Sequence, residues 1–83
     1  MKNEVKILLN TIDKVKEFSS KMLSVIPDVD IIIGRYTVDA KSILGLFSID
    51  LNKPLLLKIH SNNENICEEI KEKIKKFIIE EDV

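Results

Sequence analysis

The chain has 83 residues with 13 basic and 14 acidic side chains, for a net charge of -1, so it is sized for one small domain and offers no electrostatic footprint for nucleic acid or an anionic membrane. Cys67 is the only cysteine, which excludes an internal disulfide and gives no sign of an oxidising compartment. No apolar run approaches the ~18 residues of a membrane span, and a single cytoplasmic domain over residues 1–83 is expected.

At the start, Val5, Ile7 and Leu9 alternate with Lys6, Leu8 and Asn10, the pattern of a strand with one face toward a core. In Asn10-Thr11-Ile12-Asp13, three residues are able to cap a helix. Val15, Phe18, Met22 and Val25 then recur at helical spacing, and Pro27 ends that helix because a proline disfavours helical geometry in the residue before it. A Met and Phe stripe of this kind is core far more often than cofactor pocket.

The next two strands meet at Gly34-Arg35. Glycine first suits a two-residue type II′ hairpin, whose first central position needs a positive φ. That turn pairs Ile33 with Tyr36, Ile31 with Val38 and Val29 with Ala40, so each inward residue meets another.

Ser42 then heads a short apolar stretch, Ile43-Leu44-Gly45-Leu46-Phe47-Ser48-Ile49, and its hydroxyl can accept from free N–H groups of a first helical turn. In so short a helix Leu46 and Ile49 can face a core while Ile43, Leu44 and Phe47 spread over the other sides, an apolar patch of the kind that meets a partner. The plainer alternative places all five in the core.

After Pro54, which suits a strand start, Leu55, Leu57 and Ile59 point inward and Leu56, Lys58 and His60 outward. His60 is the only histidine, and no second histidine or cysteine stands at a ligand spacing, so neither a metal site nor a cofactor is expected. Ser61-Asn62-Asn63-Glu64 has the capping-box form. The helix it opens carries Ile66, Ile70, Ile74, Phe77 and Ile78 on one stripe, with Glu69–Lys73 and Glu72–Lys76 as i,i+4 pairs. The element order β-α-β-β-α-β-α predicts an α+β, open-faced two-layer sandwich: a four-stranded antiparallel sheet with all helices on one face. Lys6, Asp30, Thr37, Asp39 and Lys58 would line its wet side.

Ala40-Lys41-Ser42-Ile43-Leu44-Gly45-Leu46-Phe47-Ser48 resembles the Lys-Ser-Ile-Met-Gly-Val-Met-Ser segment of HPr, the phosphocarrier of the bacterial phosphoenolpyruvate-dependent sugar phosphotransferase system. The order of elements is similar over essentially the whole chain, and the resemblance implies strand order 1-4-2-3. HPr proteins carry phosphate on a histidine in a Gly-Ile-His-Ala-Arg-Pro-Ala motif. Here the equivalent stretch is Asn10-Thr11-Ile12-Asp13-Lys14-Val15-Lys16, with no histidine, arginine or proline. Thr11 falls nearest the missing histidine.

The resemblance therefore implies a phosphocarrier scaffold without its reactive residue. Some family members that lack the histidine act in regulation through the serine heading the second helix, which matches Ser42. Two functions follow as expectations. One is a regulatory or adaptor protein, not an enzyme, that docks other proteins such as phosphotransferase-system components or a serine kinase through Ile43, Leu44 and Phe47, with Ser42 as a phosphorylation site. The other is a phosphocarrier accepting phosphate on Asp13 or Thr11, for which helix capping is the plainer role. A self-associating module is a third possibility. An autonomous enzyme has the least support, because no base–nucleophile pair can be named.

Overall fold

In the computed structural model, which describes residues 3–81, five strands form one antiparallel sheet in the order β3-β2-β4-β1-β5. The strands are β1 (Glu4–Ile7), β2 (Val29–Ile33), β3 (Tyr36–Asp39), β4 (Leu55–Ile59) and β5 (Ile78–Glu80), and the helices are α1 (Ile12–Met22), α2 (Ile43–Phe47) and α3 (Glu64–Lys73). The expected single domain over residues 1–83 runs past the described residues at both ends.

Period-two alternation gives the sheet its inward face. Val5 and Ile7, Val29 and Ile31, and Leu55, Leu57 and Ile59 are all buried. They form one core with Val15, Phe18 and Met22 of α1, Leu46 of α2, and Cys67, Ile70, Ile74 and Phe77 from α3 onward. Fully burying a side chain of this size contributes about 1.5–3 kcal/mol. At the centre the Phe18 and Phe77 rings meet edge to face, 5.7 Å apart, the geometry that sets a positive ring edge against a negative face. The opposite sheet face carries the half-buried Lys6, Asp30, Ile32, Leu56 and Lys58. There the exposed His60 bonds the Asp30 carboxylate at 2.7 Å through Nε2.

The hairpin follows its sequence. Gly34 takes φ +57°, while no other residue among those described has a positive φ, so Arg35 is on the negative side as a type II′ turn requires. Ile33 pairs with Tyr36 and Ile31 with Val38, and the Ala40 N–H reaches the Val29 carbonyl at 2.9 Å. Tyr36 departs from expectation. It lines up with Ile33 yet stays exposed, because the hairpin tip extends beyond the helices.

Four corrections concern the C-terminal third. The sheet has five strands where four were expected, because the chain leaves α3 at Lys73, makes a 3₁₀ turn over Lys75–Phe77 and pairs β5 with the free edge of β1. A β-branched pair, Ile78-Ile79, suits an extended edge better than a further helical turn. Phe77 and Ile78 therefore reach the core from a turn and a strand, not from the α3 stripe.

The α3 cap is Asn63, not Ser61. Asn63 Oδ1 accepts from the Asn65 and Ile66 N–H groups at 2.9 and 3.2 Å, while Ser61 Oγ accepts from the Asn63 N–H and shapes the approach. The i,i+4 pairs give way to tertiary ones. Lys73 Nζ donates to Ser24 Oγ at 2.6 Å, and Lys76 Nζ donates to both carboxylate oxygens of Glu17 at 2.8 and 2.9 Å. These hydrogen bonds from Lys76 hold the Glu17 carboxyl below the usual glutamate range, with some opposition from desolvation and support from the charges of Lys76 and Lys21.

Among the described residues no helix is long and apolar enough to cross a membrane.

Candidate functional site

The candidate surface is built on α2. Ser42 is its N-cap, in extended conformation, and its Oγ accepts from the Gly45 N–H at 3.2 Å. The turn before the helix is held by Asp39, whose carboxylate accepts from the Lys41 N–H at 2.8 Å. At the other end, Ser48 Oγ donates to the Gly45 carbonyl at 2.6 Å. A five-residue helix cannot hold itself together in water, so these side-chain bonds and the burial of Leu46 sustain it.

Gly45 sets how closely α2 lies on the sheet. A Cβ there would stand 3.3 Å from Val38 Cβ and 3.3 Å from Ser42 Oγ. The close approach brings Leu46 into the core and turns the flanking apolar side chains outward. Leu44 is 82% exposed, Phe47 45% and Ile43 39%, whereas Ile49 is half-buried against the core. The division expected between Leu46 and Ile49 on one side and Ile43, Leu44 and Phe47 on the other is the one observed.

Helix α1 extends this surface. β1 and β2 both run antiparallel to β4, so α1 starts at the sheet end where the β2–β3 hairpin turns, and α2 starts at the opposite end. The two helices lie side by side and run in opposite directions. Lys41 Nζ fastens them by donating to the Ile26 carbonyl at 3.3 Å. At 3.6 residues per turn, positions 12, 16, 19 and 23 share one flank of α1. This flank is opposite to the Glu17 side that meets Lys76, and it brings exposed Ile12 and Leu23 toward α2. Leu23 and Ile26, at the α1 end nearest the start of α2, add exposed apolar surface there, while exposed Ile12 stands at the far end. Sequence reasoning passed over these three. Ile12 and Leu23 stand eleven residues apart on that flank, but Lys16 and Ser19 between them are polar, so no apolar stripe beside Val15-Phe18-Met22 marks it in the sequence.

The other candidates are placed apart from Ser42. Thr11 is the N-cap of α1, its Oγ1 accepting from the Lys14 N–H at 3.1 Å, and Asp13 lies exposed in the first turn. The length of α1, ~16 Å at 1.5 Å per residue, separates that end from the start of α2. Thr11 is thus engaged in capping, and among the described residues no second nucleophile or base bonds to it or to Asp13. Cys67 is buried, with Sγ 3.6 Å from the Ser61 carbonyl. No three or more His, Cys, Asp or Glu side chains among the described residues are grouped to hold a metal ion.

No protein-family model matches this sequence, and no curated protein matches it either.

Proposed function

We propose that this chain is an HPr-like regulatory or adaptor protein of the cytoplasm, which works by docking other proteins on the α1–α2 surface and not by histidine phosphotransfer. The observation that carries the reading is the exposure of Ile43, Leu44 and Phe47 on a helix that needs only Leu46 to seat it. Apolar side chains gathered on one face, where a polar residue would serve packing equally well, are the mark of an interaction surface. The succession of elements and the 1-4-2-3 order of the first four strands agree with what the resemblance to HPr implies, and the added β5 lies at the edge farthest from β3 and its neighbour α2. Ser42 at the rim is accessible to a kinase, and a phosphate there would put a dianion beside the apolar patch and change which partners dock.

The test is affinity capture from the native cell extract with the wild-type chain, Leu44→Asp and Arg35→Gln as baits. A partner held by the wild type and by Arg35→Gln but lost with Leu44→Asp is the expected result. A partner held equally by Leu44→Asp would move the interface off α2. The phosphocarrier reading is checked with phosphoenolpyruvate and the general phosphotransferase enzyme. Hydroxylamine-sensitive label that disappears in Asp13→Asn would replace docking with acyl-phosphate transfer.

A further inference from the structure

The β2–β3 hairpin and residues 48–53, which lead from α2 to β4, enclose an open cleft of about 820 Å³, within the size range of small-molecule sites. It arises because α2 is short. The inward stripe of the hairpin comprises Val29 with Ala40, Ile31 with Val38 and Ile33 with Tyr36. The first pair is buried, and Gly45 seats the helix on Val38. The third pair lies past the end of the helix, leaving Ile33 half-buried and Tyr36 66% exposed. An inward-facing apolar wall is thus left open, completed by Val38 and Ile49.

The charged groups around it are Arg35, Lys53 and Asp50. Asp50 is engaged, its carboxylate accepting from the Asn52 N–H at 3.1 Å and standing 3.8 Å from Lys53 Nζ. Arg35 has no hydrogen-bond or ion-pair partner among the described residues. The rim therefore carries one uncompensated positive charge, on the side chain whose planar fork best fits a carboxylate.

We propose that this cleft binds a small amphipathic monoanion: an aromatic or short aliphatic body against Ile33, Tyr36, Val38 and Ile49, with one carboxylate on the Arg35 guanidinium. A carboxylate matches the one lining cation that has no partner among the described residues. A phosphate monoester, with its charge of about -1.5 to -2 at neutral pH, would leave negative charge uncompensated beside Asp50. The site is distinct from the docking face, since none of its lining residues is Ile43, Leu44 or Phe47.

The experiment is an amide ¹H–¹⁵N titration of the full chain with sodium 2-naphthoate, using neutral 2-naphthamide as the uncharged counterpart. Saturable shifts confined to residues 33–38 and 48–53, tighter for the acid than for the amide, are expected. In Arg35→Gln, which alters only an exposed turn side chain, affinity for the acid should fall at least fivefold to that of the amide, while Leu44→Asp should leave it unchanged. The assignment is overturned by shifts centred on residues 43–47, by no saturation up to millimolar naphthoate, or by equal binding to Arg35→Gln.

Discussion

Replacing Gly45 by alanine sets two opposing effects against each other at the point where α2 meets the sheet. Alanine is favoured over glycine in a helix interior by ~0.8–1 kcal/mol. The new methyl would stand 3.3 Å from both Val38 Cβ and Ser42 Oγ and 3.5 Å from Ser42 Cβ, so its contact with Val38 is shorter than the ~3.5–4.0 Å at which carbon contacts are most favourable. Val38 Cβ is one bond from a strand backbone and has no rotamer by which to retreat. Ser42 Oγ can turn away only by giving up its bond from the Gly45 N–H, and a lost N-cap costs ~0.5–2 kcal/mol. Overpacking costs ~1–3 kcal/mol, and an overlap of a few tenths of an ångström belongs at the low end. The two costs are alternatives, since displacing the hydroxyl relieves part of the overlap. Set against the helix gain, a cost of ~1–2 kcal/mol leaves a net loss of ~0–1 kcal/mol, read as a urea midpoint unchanged or lowered by up to about 1 M if the slope is ~1 kcal/mol/M. A double-mutant cycle with Ser42→Ala should show coupling, because the hydroxyl that resists the methyl is then gone. A raised midpoint in Gly45→Ala would mean that α2 is not pressed against Val38, and the outward placement of Leu44 and Phe47 would lose its cause.

Ser42→Ala alone should cost ~0.5–2 kcal/mol as the loss of a cap. Incubation of the wild type with an HPr-type kinase and ATP should add one phosphate at Ser42 by mass spectrometry, and a phosphate found only elsewhere would remove Ser42 from the regulatory proposal. Glu17 supplies the pH dependence. Its folded-state pKa is lowered, chiefly by the hydrogen bonds from Lys76, so its stabilisation is present above the unfolded-state pKa and is lost as pH falls through the folded value. Glu17→Gln should therefore lower the thermal midpoint slightly at neutral pH and not at pH 2, and an equal difference at both would show that the pair contributes no titratable stability.

Much of this molecule was legible in its residues. Alternation at Val5-Ile7, Val29-Ile31 and Leu55-Leu57-Ile59 settles which strand face is buried, because a one-residue slip would turn each apolar set into water. Gly34 settles the hairpin, because a positive φ is inexpensive only for glycine. Ser42 announced its helix by local hydrogen bonding, and the outward positions of Ile43, Leu44 and Phe47 follow from helical spacing once Leu46 is seated. Other features depend on what lies nearby in space. The edge of β1 decides that Ile78–Glu80 becomes a strand, although the sequence continues a helical stripe through Phe77 and Ile78. Glu17 on α1 and Ser24 just beyond its end draw Lys76 and Lys73 away from their helical neighbours. The cleft under the hairpin exists because a five-residue helix stops short of Tyr36, a mismatch of lengths between two elements that neither sequence segment contains alone.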